Sequence, residues 1–335
     1  MTAADPLTAL LDDLPGPDEA SRAAVRERAA NVLRPAGAFA RLDEVAVWLA
    51  GWQRTARPTV ARPAVTIFAA DHGVAAAGVS AYPAEVTKAM LAALEERVAT
   101  SAVLARGVGA RFEAIDVGVG APTGDIRVEP ALDPERFGGC VAAGVAATDR
   151  AADDGADLLV VGEMGIGNTT PAAAVCRALF GGDPADWTGR GTGIDDAGLA
   201  RKHAAVTAAT DRIGGTTDPA EVLRQVGGAE LVTMAAAVAR ARRRSLPVLF
   251  DGFVVGAAIA PLAVAAPGAL EHGLASHRSA EPGHRRLLTA LGMTPLLELD
   301  LRLGEGSGAL VAVPIVRAAA LAVTDVATFE EWGLT

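Results

Sequence analysis

Three stretches of this chain combine residue types and spacings that could do chemistry. The first is Leu158 to Phe180, LLVVGEMGIGNTTPAAAVCRALF. Four apolar residues run into a loop with glycines at 162, 165 and 167, and small apolar residues follow Pro171. A buried strand, a glycine loop and a helix start in that order make an anion site, because unpaired backbone N–H groups and the helix dipole both face the loop. Asn168, Thr169 and Thr170 could cap that helix or add hydroxyl donors. Pro171 suits a first helical turn, where its missing N–H costs nothing. The spacing lacks the third glycine of a dinucleotide fingerprint and the Lys-Ser or Lys-Thr pair of a P-loop. Two readings stand: a phosphate site, or a tight turn whose glycines serve only backbone geometry.

The second stretch, Gly189-Arg-Gly-Thr-Gly193-Ile-Asp-Asp196, is also glycine-rich, and Lys202 lies on the helix after it. A lysine one or two turns into a helix could add a point charge to a phosphate. Alternatively Lys202 is solvated and Asp195 or Asp196 is merely an N-cap. The third stretch is Gly304-Glu305-Gly306-Ser307-Gly308, which opens the apolar segment 309–324. Packing explains a carboxylate between two glycines poorly, and the glycines let backbone or ligand approach closely. A helix N-terminus would keep Glu305 ionised, as a base or a charge stabiliser. The bland alternative is a helix-start glutamate that serves the dipole alone.

Other candidates carry less. Asp71-His72-Gly73 suggests a metal or a base, yet five histidines without HExxH or paired CxxC spacing give no reason to expect a metal. His272 and His277 in HGLASH read as structural or surface groups. No serine sits in a G-x-S-x-G elbow.

Elements that could position these groups alternate along the middle of the chain. Apolar runs at 64–69, 112–117, 158–161 and 246–250 are separated by helix-length segments at 85–106, 171–180, 196–214, 229–244 and 252–266. That pattern predicts an α/β fold with a parallel sheet covered on both faces. In such sheets ligands bind beyond the carboxyl ends of the strands. The polar clusters Asp71-His72-Gly73, Asp116-Val-Gly118, Glu163 to Thr170 and Asp251-Gly252 fall there, which favours the phosphate reading. Helices are predicted over 18–32 and 42–53, around an Arg34-Pro-Ala-Gly-Ala loop, and again in the tail. The expected organisation is a small helical domain from residues 1–60 plus 286–335 beside an α/β domain over 61–285.

Composition bounds the partners. With 30 Lys and Arg against 40 Asp and Glu, the formal net charge is −10, so neither nucleic acid nor an anionic membrane is expected. Arg240 with Arg242 to Arg244 reads as the cationic end of a helix. Two cysteines, Cys140 and Cys176, are too few for a disulfide framework. The longest apolar stretch, Val254 to Leu270, is broken by Gly256, Pro261, Pro267 and Gly268, so a buried helix and loop is expected there. MTAADPLTALLDDLPG has no charged leader before an apolar core, and a cytoplasmic location is expected.

Taken together, seven segments resemble the nicotinate-nucleotide:dimethylbenzimidazole phosphoribosyltransferase family. They are FAADHGVAAAGVSAYPAEVT (68–87), DVGV (116–119), GEMGIGNTTPAAA (162–174), GRGTGIDDAGLARK (189–202), LFDGFVVGAA (249–258), SHRSAEPGH (276–284) and RLGEGSGA (302–309). The resemblance implies a Rossmann-like sheet domain with a helical domain from both termini, a homodimer, and no cofactor or metal. It implies that Glu305 is the catalytic base. Phosphate contacts would fall to Gly165, Gly167, Asn168, Thr169, Gly191 and Lys202, with Glu163, Ser80, Met90 and Ser279 as further substrate-binding residues. The substrates would be nicotinate mononucleotide and a benzimidazole-type base. Departures at Ala38-Phe39-Ala40, Ala89, Met90, Arg97, Val98 and Ala102 bear on which base is accepted.

That chemistry makes sense of the residues. A pyridinium departs as a neutral ring nitrogen, so the donor needs no strong general acid. As an imidazole lone pair attacks C1′, the ring N–H becomes acidic, and a carboxylate within reach takes the proton. Glycine loops that grip the phosphate fix C1′ between the two rings. A nucleotide-dependent oxidoreductase would want the missing third glycine. A paralogue that binds without catalysis is the other alternative, and retention of Glu305 argues against it.

Overall fold

The computed structural model describes residues 5–191 and 193–334; Met1 to Ala4, on which part of the leader reading falls, lie outside the described residues. Two α-helices come first, α1 (Glu19–Asn31) and α2 (Arg41–Gln53). Strand β1 (Pro63–Ala70), helices α3 (Val86–Glu95) and α4 (Thr100–Val108), β2 (Arg111–Gly118), α5 (Pro134–Asp153) and β3 (Leu158–Met164) follow. The chain continues through α6 (Thr169–Phe180), α7 (Pro184–Trp187), α8 (Asp196–Ile213), α9 (Pro219–Val226) and α10 (Ala229–Arg243). Then come β4 (Val248–Phe250), α11 (Phe253–Ala265), β5 (Gly273–Ala275), β6 (His277–Arg278), α12 (Pro282–Ala290), β7 (Leu297–Glu298) and α13 (Ser307–Thr324).

The main sheet is parallel, in the order β2-β1-β3-β4-β5, as the alternating apolar runs predict. Its central strand is β3, whose register sets Glu163 beside Phe68 and Val161 beside Phe250. Side chains of a strand alternate between faces, so a strand buried on both sides must be apolar at successive positions. Leu159 and Val161 enter one core with α5, α6, α10 and α11. Leu158 and Val160 enter the other, with α1, α2, α4 and α13.

Several expectations need correcting. The single helix expected over 85–106 is two, because Arg97 takes a left-handed conformation (φ 64°) and Val98 and Ala99 both fold back onto the Ala93 carbonyl. Strand β3 runs on to Met164, so Gly162 and Glu163 belong to the sheet and not to a loop. Helix α6 begins at Thr169, two residues before Pro171. Helix α5 carries three glycines that argue against it locally; at Gly144 a Cβ would lie 2.2 Å from the Thr233 carbonyl, so close packing on α10 decides. The Arg240–Arg244 cluster does end a helix, and its charges meet acids: Arg240 and Arg244 both donate to Asp149. The helix long and apolar enough to cross a membrane is Ser307–Thr324, not part of 254–270; 61% of it is buried, against α2 and α4 among others.

Candidate active site

At one end of the site three segments converge on an anion-sized space. Lys202 of α8 is 1% exposed, so the solvated reading of it does not hold. Its Nζ donates to Thr169 Oγ1 at 2.8 Å and to the Gly189 carbonyl at 3.2 Å. A side chain added at Gly191 would come within 3.5 Å of that Nζ and 3.6 Å of Thr169 Oγ1. Burial pushes the Lys202 pKa down to about 8, with the nearby Glu281 carboxylate opposing. An ammonium held among neutral oxygens is expensive, and an anion in front of it would restore its charge. Asp195 caps α8, accepting from the Gly198 amide at 2.8 Å.

The loop from Gly165 to Asn168 is pinned from behind. Thr87 Oγ1 accepts from the Ile166 amide at 3.2 Å, and Gly167 takes φ 87°. Beneath Gly165 lies a fully buried pair, His72 Nε2 and Glu230 Oε1 at 2.7 Å. The Asp71-His72-Gly73 motif therefore supports the loop. Asn168 stands at the N-cap position but makes no side-chain cap; its Nδ2 donates instead to Glu163 Oε2.

The other end is a cluster of acids. Gly304, Glu305 and Gly306 all have positive φ (86°, 58° and 68°), a conformation that costs a glutamate free energy. The Glu305 amide donates to the Glu163 carbonyl at 3.2 Å. A Cβ at Gly162 would lie 2.3 Å from the Gly306 nitrogen, so only glycine lets this loop settle on β3. The N-terminus of α13 is claimed by Asp251, whose Oδ1 accepts from the Ala309 amide at 2.9 Å while the Gly252, Gly308 and Gly306 amides also donate to it. Burial nonetheless pushes the Asp251 pKa up to about 6.

Glu305 itself is buried, and its Oε2 accepts from Ser101 Oγ at 3.0 Å. Burial pushes its pKa up; the Ser101 hydroxyl and amide pull it down, and Asp251 adds to the rise. The expected role of the helix after residue 305 is thus corrected. Asp251 consumes those amides, and the helix end that serves Glu305 is that of α4. Glu163 is raised well above the usual carboxylate range, chiefly by burial, with the Asn168 hydrogen bond opposing and Glu230, Asp251 and Glu305 reinforcing.

A single cleft at the carboxyl ends of β3 and β4 joins the two ends. It is lined by Gly165, Gly167, Asn168, Thr169, Gly191 and Lys202, by Ser80, Glu163 and Ser279, and by Arg302 to Gly304. The Glu305 carboxylate lies behind Gly304, outside the lining. Met90 is not in the lining either; it is half-buried on α3 against the second core. Ser279 packs its Oγ 2.9 Å from His284 Nδ1, which also accepts from the Ser279 amide.

Sequence reasoning missed Ser101, Arg302 and Glu281, and it misread His277. Of the two histidines in HGLASH, His272 is structural, with Nε2 2.9 Å from the Val238 carbonyl. His277 lines the cleft, held near pKa 4 by burial, with Nδ1 3.0 Å from Ser276 Oγ and 3.7 Å from Asp251.

A phosphoribosyltransferase family model matches residues 14–334. The nicotinate-nucleotide–dimethylbenzimidazole phosphoribosyltransferase of Ruegeria pomeroyi is 49% identical over 326 residues, covering 97% of this chain and 96% of that protein. Its counterpart in Mesorhizobium japonicum is 47% identical over 332 residues, covering 99% and 98%. The crystal structure of CobT from Thermus thermophilus superposes with a TM-score of 0.90 at 42% identity, over 94% of this chain and 99% of that one. Identity and coverage of this order, on a shared architecture, mean that the chain belongs to the nicotinate-nucleotide–dimethylbenzimidazole phosphoribosyltransferase family.

Proposed function

We propose that this chain transfers the 5-phosphoribosyl group of nicotinate mononucleotide to 5,6-dimethylbenzimidazole or a related base, with inversion at C1′. The products are α-ribazole 5′-phosphate and nicotinate, and the step belongs to cobalamin biosynthesis. One observation carries the reading: a cation-and-glycine end and a carboxylate end face each other across one cleft at the strand termini.

In this reading the phosphate lies against Lys202, Thr169 and the two glycine loops, which fixes the ribose. The acceptor ring enters from the side of Ser80 and Gly304. Its lone pair attacks C1′ as the bond to the pyridinium nitrogen breaks, and Glu305 takes the ring N–H proton. Glu163 and Ser279 are positioned to orient the sugar. A carboxylate with a raised pKa is the better base for a weakly acidic N–H, because proton affinity and ionisation are balanced nearer to neutrality.

The homodimer implied by the family is supported by apolar groups at the cleft mouth, where Leu303 lines the cleft and stays 53% exposed. Shared packing of Val25, Leu49 and Val316 supports treating 1–60 and 286–335 as one helical domain. A cytoplasmic setting fits the two free thiols, Cys140 and Cys176, both buried. Incubation with nicotinate mononucleotide and a panel of benzimidazoles tests the activity. Base-dependent release of nicotinate with an α-linked product is expected, and release that ignores the base would refute it.

A further inference from the structure

Glu305 reaches its place from a backbone that leaves little choice. Its φ of 58°, the contact of Gly306 on Gly162 and the amide bond to the Glu163 carbonyl fix the Cα. What stays free is the side chain, and the groups around it mostly repel its charge. Glu163 of β3 and Asp251 after β4 are acids coupled to it. Beyond Asp251 stands His277 of β6, buried and neutral. The cations of neighbouring elements do not reach it. Lys88 of α3, Arg106 of α4 and Arg302 are exposed, and Arg317 of α13 is spent on the Val60 and Val108 carbonyls.

One fully buried donor remains. Ser101 is 0% exposed and gives its hydroxyl to Glu305 Oε2 at 3.0 Å. It is the second residue of α4, so its amide has no partner inside the helix, and that amide also serves Glu305. The break after α3 creates this helix end. We propose that Ser101 is the positioning residue for Glu305: the hydroxyl and the open end of α4 hold the reacting carboxylate by one oxygen and present the other to the acceptor ring.

This rests on Glu305 being the base. In the step the ring N–H bond breaks and its proton joins Glu305. Meanwhile the new N–C1′ bond forms, and the electron pair of the old bond stays on the nicotinate nitrogen. Ser101 keeps its own proton throughout. It stabilises the charged form before transfer, so its loss should alter the protonation of the base as well as its aim.

The test compares Ser101→Ala, Ser101→Thr and Glu305→Gln in the full-length enzyme, by steady-state kinetics across pH and by thermal denaturation. Ser101→Ala should lower kcat about 10- to 100-fold, the worth of one hydrogen bond to a charged group. It should also move the acid limb of the pH profile upward by about one unit. KM for nicotinate mononucleotide should not change, and Ser101→Thr should restore most of the rate. An acid limb that coincides with that of the parent overturns the proposal, as does a pH-independent loss accompanied by a raised KM. If Ser101→Ala does not fold, Ser101→Cys keeps the volume with a poor donor and is read in the same way. Full turnover by Glu305→Gln would remove the base assignment itself. An inactive Glu305→Gln beside an unshifted Ser101→Ala would remove only the role of Ser101.

Discussion

The two ends of the cleft are built on opposite electrostatic plans. The Lys202 end gathers a cation, a hydroxyl and glycine-rich backbone, and its one titratable group has a lowered pKa. The Glu305 end gathers Glu163, Asp251 and Glu305, every one of them raised. Both shifts have the same leading cause, loss of water, and in both cases the disfavoured state is the charged one. The lesson is that each end is completed by what it lacks. An arriving phosphate supplies the missing negative charge to the lysine, and a ring that turns cationic supplies positive charge to the acids.

Four perturbations should break or sharpen that contrast. Glu305→Gln should leave both substrates bound and lower kcat by about 10²- to 10⁴-fold, the usual worth of a placed general base; wild-type-like turnover would sink it. Gly162→Ala forces a Cβ against the Gly306 nitrogen and should destabilise the fold by about 1–3 kcal/mol. Its kinetic damage should appear in kcat while nucleotide KM holds, and the reverse pattern would show that the two ends are not separable. Lys202→Ala should raise nucleotide KM about 10- to 100-fold, the worth of a charge-assisted contact. An unchanged KM would count against the phosphate assignment.

The gentlest perturbation is pH. Free Lys202 loses its proton near pH 8, whereas a bound phosphate favours the protonated form. Nucleotide affinity should therefore hold below about 8 and fall above it, by up to about tenfold per unit. Lys202→Ala should abolish that slope; titrations of both proteins from neutral to alkaline pH check it.

The same contrast explains what could be read beforehand. The phosphate end is made of contiguous motifs, where a strand, a glycine turn and a helix start are a local pattern. The acid end is made of pairings between distant segments. Ser101 and Glu305 lie 204 positions apart, and no local signal couples them. Asn168 looked like a cap because its type and place suit one, yet Glu163 five residues earlier captured its amide. The α3–α4 break was invisible because Glu96-Arg97-Val98-Ala99 holds neither glycine nor proline. Strand β5, Gly273-Leu-Ala275, is too short for an apolar run to mark it.

The left-handed backbone at Glu305 has one further consequence. Glycine would sit there at ease, by roughly 1 kcal/mol, and would bring no carboxylate into the interior. Thermostability and chemistry thus pull in opposite directions at a single codon. A lineage no longer selected for turnover would drift downhill here first, keeping its architecture while falling silent.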